Sequence, residues 1–296
     1  MDMSIILQLT IGGLAMGCIY ALIAVGMNLL YNATGGMNWA QSSLVMLGAY
    51  VALTYVRLFQ SFKWPMLASA VFTVPTAGVI GALFGYLLYE PIRYKGYYHW
   101  LLVALSAGML VSEAVPLIWG TLPYMLPRFI STSSIRLGNL IFDTQSLVII
   151  GVVFATIGIM QLFLNKTEWG LMMRAVGQSK EVASLMGIPV RQSIRMTFAL
   201  STALAAIAGV LAGPIFFVSV MLLDVGGKGF ATAVLGGFSP RVSGVIIAGL
   251  LIGLVEVFAS FFLSSAFHDA WGFLFLIVFL IFRPTGIFGE QRAEKA

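Results

Sequence analysis

Residues 242–263 read VSGVIIAGLLIGLVEVFASFFL, a run of helical length in which Glu256 is the sole ionisable side chain. A helix needs ~20 apolar residues to cross the hydrocarbon core of a bilayer. Eight stretches come near that length: 4–31, 42–59, 65–89, 100–119, 145–165, 195–222, 242–263 and 270–283, the last of them short. With 60% apolar and 9% charged residues and a mean hydropathy of +0.99, the chain has too little polar surface to cover a water-soluble domain. The expectation is an all-α, polytopic transmembrane bundle, one domain over 1–296, with about eight spanning helices. The N-terminal MDMSIILQL has no basic n-region and no small-residue cleavage site, so the first run is expected to be a permanent span. The stretch DVGGKGFATAVLGGFSPR, 224–241, is too polar at its start and too short for a full crossing. It is expected to hold a half-helix from about Lys228 to Gly237, with irregular backbone buried in protein or facing water.

Lys and Arg accumulate in cytoplasmic loops, and the loop 166–195 is the densest basic segment, with Lys166, Arg174, Lys180, Arg191 and Arg195. Placing it in the cytoplasm leaves two topologies. If 223–241 descends through the membrane, eleven of the 16 basic residues are cytoplasmic, among them Arg241, Arg283, Arg292 and Lys295. If it dips and returns, the tail is external. The charge count favours the descent, with an external N-terminus and the net charge of +5 at the inner face.

Small residues recur at four-residue spacing, as Gly13 with Gly17, Gly81 with Gly85 and Gly249 with Gly253. In lipid, such faces let helix backbones approach closely. Pro75, Pro116 and Pro214 lie inside apolar runs and predict bent helices.

No catalytic or metal-binding constellation is legible. Cys18, the one cysteine, sits in the first apolar run as a packing residue, and His99 and His268 fall at expected helix ends. VGGKGF lacks the glycine spacing and the Ser or Thr of a phosphate-binding loop, so ATP hydrolysis by this chain is excluded. Glu113 and Glu256 stand within apolar runs, where an ionisable group is costly and points to a role. Glu113 is open to a pathway role or a packing role, and Glu256 is expected to bond an adjacent helix or the broken segment.

The loop NKTEWGLMMRAVGQSKEVASLMGIPVRQ is the most informative stretch. Ser179 can cap a short helix, Glu181 suits its N-terminal end, and Val182, Leu185 and Met186 form an i, i+3, i+4 apolar face before Gly187 and Pro189 end it. A helix that short is unstable alone and wants a surface: either the bilayer or a groove in a partner.

Three passages together resemble the permease subunits of branched-chain amino acid ABC importers of the LivH and LivM type. They are GLAMGCIYALIAVGMNLLYNATGGMNWAQSSLVMLGAY, GLMMRAVGQSKEVASLMGI, and ATAVLGGFSPRVSGVIIAGLLIGLVE with RPTGIFG. The resemblance covers almost the whole chain. It implies an importer in a bacterial cytoplasmic membrane, with a second permease, often a paralogue, two cytoplasmic ATPases that bind the ATP, and an extracytoplasmic solute-binding protein. It implies no cofactor of the chain's own. The coupling element would be Arg174 to Ile188, with Arg174, Ala175 and Gln178 at its base. Val182, Leu185 and Met186 would be the face inserted in an ATPase groove, with Ala183, Gly187 and Ile188 completing the coupling residues. A stand-alone secondary transporter is the alternative; it would leave this loop unexplained.

The same resemblance bears on LLYNATGGMNWAQSSLVML, residues 29–47, where polar residues interrupt membrane-grade hydrophobicity. In the family this junction resembles a broken element near the translocation path, which nominates Asn38, Trp39 and Gln41, with Glu113, as path residues; a plain turn is the other reading. Here Trp39, Gln41 and Ser42 depart from the family's Phe, His and Gly, so leucine as substrate does not follow. The solute implied is small and polar or amphipathic: an amino acid, an amide or urea, or an organic acid.

Overall fold

The computed structural model describes residues 3–61, 65–130, 134–137, 140–238 and 242–289, with only the backbone described at residues 3 and 65 and across 134–142. Arg241, Arg292 and Lys295 lie outside the described residues. The helices are α1 (Met3–Thr34), α2 (Gln41–Leu58), α3 (Pro65–Phe84), α4 (Tyr97–Trp119), α5 (Thr144–Lys166), α6 (Glu168–Gln178), α7 (Lys180–Leu185), α8 (Val190–Phe216), α9 (Leu222–Gly236), α10 (Val242–Phe262) and α11 (His268–Phe282). A π-helical turn, Gly85–Tyr89, and a 3-10 turn, Glu90–Ile92, extend α3. The bundle is helical, with one small appendage that composition did not announce: an antiparallel hairpin of β1 (Ser134–Leu137) and β2 (Leu140–Asp143).

Seven helices among the described residues are long and apolar enough to cross a membrane. The second apolar run is of another kind. Its helix, α2, has most of its length buried, from Gln41 to Leu53, so it meets protein rather than lipid and can carry Gln41, Ser43 and Tyr50 inward. α9 is longer than the expected half-helix and starts at Leu222, ahead of Lys228.

Glycine faces hold the centre. α1 and α10 lie backbone to backbone: a Cβ on Gly17 would sit 2.6 Å from the Gly249 carbonyl oxygen, and one on Gly253 would sit 2.3 Å from the Gly17 nitrogen. The two small-residue pairs read from sequence therefore fit into each other, which is how helices associate where lipid removes the hydrophobic drive. Gly81 does the same work between α3 and α8, where a Cβ would meet the Phe198 carbonyl oxygen at 2.5 Å.

Contacts between distant segments define two ends of the bundle. At one end Lys180 bonds the Thr34 carbonyl, the Tyr31 ring packs at a tilt against Phe238, and the Ile287 amide bonds the Leu235 carbonyl. At the other end Tyr124 pairs with Val218, and the Trp119 indole donates to Thr54. α9 runs from the second end, just past Val218, to the first, at Phe238. That is the descent, and it puts the segment after α11 at the same end as α7. In a Cys18→Ser background, a cysteine at Ser184 or Arg283 is expected to react with an impermeant maleimide from the cytoplasmic face only, and one at Leu122 from the external face only. External labelling at position 283 would contradict the path of α9 and α11.

Candidate functional site

The end that holds Lys180 and Thr34 is built around α7. The Ser179 hydroxyl accepts from the Val182 amide at 3.3 Å, closing the N-terminus, and Gly187 at φ +79° lets the chain turn out while the Ile188 amide bonds back to the Ala183 carbonyl. This is N- and C-capping by the residue types that do it at least cost. The short helix has two faces. Ala183 is buried in a cluster with Leu30, Tyr89, Trp100, Val176, Ile194 and Phe198, against which Ile188 also packs. Outward stand Val182, Leu185 and Met186, exposed by 58%, 87% and 77%. The i, i+3, i+4 face is thus presented to the surroundings rather than to the protein's own core.

Two ties fix this element. Lys180 donates to the Thr34 carbonyl at 2.6 Å and to the Tyr89 hydroxyl at 3.1 Å, joining α7 to the end of α1 and to the π turn after α3. In the sequence Lys180 carries only a topology signal, because nothing local points to a partner 146 residues away. Behind it, Arg195 holds Glu90 in a two-pronged ion pair, Nη2 to Oε2 at 2.9 Å, the fork geometry that suits guanidinium and carboxylate.

At the base of the loop, α6 is capped by Thr167, whose hydroxyl accepts from the Gly170 amide. Arg174 and Gln178 lie on α6. They line a cavity of about 540 Å³ shared with α1, α5, α8 and the start of α10. Ala175 is half-buried beside them.

The polar junction 35–40 is irregular backbone that climbs back into the bundle. Gly35, at φ +80°, turns the chain, and a Cβ on Gly36 would strike the Trp100 ring at 2.4 Å. Asn38 accepts from the Ala40 amide and donates to Gln41, whose amide donates to the Ser201 carbonyl at 3.2 Å; Ser201 in turn bonds Gly26. Asn38 and Gln41 are buried, so they satisfy the broken backbone and the α1–α8 seam. Ser201 lies well inside α8, and Ala40 faces Gly108 in the middle of α4, so α2 begins deep within the bundle. Of Asn38, Trp39 and Gln41, Trp39 alone faces outward, 40% exposed, with its ring tilted against Phe230 of α9. Glu113 is apart from them, exposed on α4 among Met109, Leu110 and Leu117.

Glu256 bonds the broken segment, as its position on α10 suggested. Its partner is Lys228 of α9, 3% exposed at the side chain against 0% for Glu256. Lys228 also donates to Asp269 at 2.7 Å, and His268 Nε2 lies 3.0 Å from Glu256 Oε1. Glu256, His268 and Asp269 bring ligand-type atoms within 4.8 Å of one another. The lysine ammonium already sits on both carboxylates, so the cluster works as an ion-pair pin joining α9, α10 and α11.

Residues 9–283 match the family described as "Branched-chain amino acid transport system / permease component". The high-affinity branched-chain amino acid transport system permease protein BraD of Pseudomonas aeruginosa is 30% identical over 98% of this chain and 97% of its own length. LivH of Escherichia coli K12, a permease protein of the same description, is 30% identical over the same shares. The nucleoside ABC transporter permease protein NupB of Lactococcus lactis is 34% identical over only 36% of this chain and 30% of its own. Among solved structures, PsaBC from Streptococcus pneumoniae in complex with Fab aligns with a TM-score of 0.47 at 13% identity, covering 93% of this chain and 91% of that one.

Proposed function

Since the chain belongs to the family of branched-chain amino acid transport permease components, we propose that it forms half of the membrane pathway of an ATP-driven importer for branched-chain amino acids. It is a multi-pass permease subunit and not an enzyme. Its partners are ATPase subunits and a solute-binding protein; in our reading these are two ATPases, one binding protein and a second permease, a paralogue of this chain. The substrate class follows the relatives that align along their whole length, whereas the nucleoside permease aligns over about a third of the chain.

The observation that carries the reading is the capped α7 with Val182, Leu185 and Met186 turned outward. A six-residue helix has no stability of its own, yet this one is capped at both ends and tied by Lys180. That is the construction of a rigid knob which transmits displacement. Docked in an ATPase groove, it passes movement through Lys180 to α1 and through Ala183 and Ile188 to α8. Arg174, Ala175 and Gln178 are the base on which it pivots, and Gly187 is its exit hinge. Trp39 and Glu113 face the second permease and the solute, and Asn38 and Gln41 hold the junction that presents Trp39. Glu113 in particular sits where an uncovered charge would meet lipid tails, a costly arrangement that a protein or water-lined neighbour relieves.

Tagged chain co-expressed with its ATPase subunits is expected to retain them through purification. Free, monodisperse chain that transports solute without any ATPase would replace this reading with that of a secondary transporter.

A further inference from the structure

The cavity at the base of α6 has a lining more specific than its position demands. One wall is apolar, from Leu29, Met160 and Leu164. Among its polar side chains are Asn28 and Asn32 of α1, Gln161 and Asn165 of α5, Gln178 of α6 and Thr197 of α8. Asn32 donates to the Asn28 carbonyl at 2.9 Å, which joins that pair to each other. Among the described residues Arg174 is the only charged one in the lining, and its guanidinium has no carboxylate within ion-pair distance. A volume of about 540 Å³ is within the range of small-molecule sites.

These groups select a solute class. An unpaired guanidinium recognises a planar anion, best a carboxylate. Asn and Gln side chains offer acceptor oxygens as well as donor nitrogens, so an ammonium is accommodated without an acidic residue. The Leu29, Met160 and Leu164 wall takes an aliphatic group. We propose that the cavity is a cytoplasm-side binding site for an aliphatic α-amino acid, and that the solute delivered by the importer slows further import by occupying it. The proposal rests on the substrate reading above. Its mechanism is linkage: α6 leads directly into α7 through Ser179, so a ligand bridging Arg174 to α1 and α5 favours one position of the coupling knob.

The test uses the full complex, with ATPases and binding protein, in proteoliposomes whose lumen represents the cytoplasm. Luminal L-leucine is expected to lower the initial ATP-driven uptake rate about fivefold or more, the low end of usual coupling factors. Leucinamide, which lacks the carboxylate, is expected to leave it unchanged. The double variant Gln161→Leu with Asn165→Leu removes two cavity amides remote from α7. It is expected to transport normally with an empty lumen and to resist luminal leucine. Equal inhibition of the double variant, equal inhibition by leucinamide, or no inhibition of the native complex overturns the proposal. A second readout is independent of transport: L-leucine is expected to raise the melting temperature of the purified complex without binding protein, and the double variant to lose that rise. No rise overturns the site even if uptake proceeds, whereas a rise with no leucine uptake overturns the substrate reading instead. A rise with glycerol 3-phosphate and none with leucine assigns the cavity to a lipid headgroup and also overturns it.

Discussion

Leu185→Asp or Met186→Asp is expected to abolish retention of the ATPases while leaving the permease folded and inserted. Leu185 is 87% exposed and Met186 77% exposed, so neither substitution disturbs the protein's own packing, and surface changes of this kind usually stay within about 0.5 kcal/mol of native stability. In a groove the same carboxylate has no partner, at a cost of several kcal/mol. A loss of about 3 kcal/mol weakens association by a factor of more than about 100. Glu181→Ala, on the same helix but off the apolar face, serves as the control and should retain the ATPases. Aspartate variants that co-purify and transport like the native chain would show that α7 is not the docking element.

Lys228→Met is expected to give the largest loss of stability of any single change at the ion-pair pin. Lys228 and Glu256 are both buried, and removing one partner leaves the other charge stranded, typically at 3–5 kcal/mol. His268 lies on the same Glu256 oxygen and shares the charge, so about 3 kcal/mol, the low end of that range, is expected. Replacing both, as Lys228→Met with Glu256→Gln, should recover most of the loss, because a buried pair replaced as a unit is often close to neutral. Asp269 is largely exposed and can return to water. Denaturant unfolding in detergent, followed for the two single variants and the double, measures this. A double variant no more stable than Lys228→Met alone would contradict the pairing.

These two elements differ in how far they could be read beforehand. Everything that makes α7 is local: the cap at Ser179, the face at Val182, Leu185 and Met186, and the stop at Gly187 lie within nine residues of one another, and capping and periodicity act over that distance. The glycine faces were legible for a related reason. A four-residue spacing specifies a helix surface, and Gly13, Gly17, Gly249 and Gly253 differ from their neighbours only in being small enough for backbone contact. Which face met which was not written in either segment.

What remained hidden was long-range or reversed in direction. The Lys180 tether to Thr34, the Arg195 to Glu90 pair and the Lys228 pin each join residues far apart in the chain, and no local rule nominates the partner. Glu256 could be assigned a bond to the broken segment because a buried carboxylate demands one, but Lys228 did not stand out in a glycine-rich stretch. The junction after α1 shows the opposite difficulty. Polarity marked Asn38 and Gln41 as special, yet polarity alone does not say whether a side chain points at a solute or at the backbone it repairs. Here both are turned inward and Trp39 outward. Hydropathy likewise reports the average surroundings of a helix, so α2, buried by its neighbours, reads as a span without needing to be lipid-compatible.

The central claim is that this chain conducts a solute under ATP control through a knob that docks outside its own fold. Initial-rate uptake of labelled L-leucine tests it most directly, in proteoliposomes holding the chain, its second permease and the ATPases, with binding protein outside and ATP inside. The account predicts uptake that requires luminal ATP and external binding protein and that falls to background with Leu185→Asp. Uptake that persists without ATP, or that proceeds unchanged with Leu185→Asp, would contradict it.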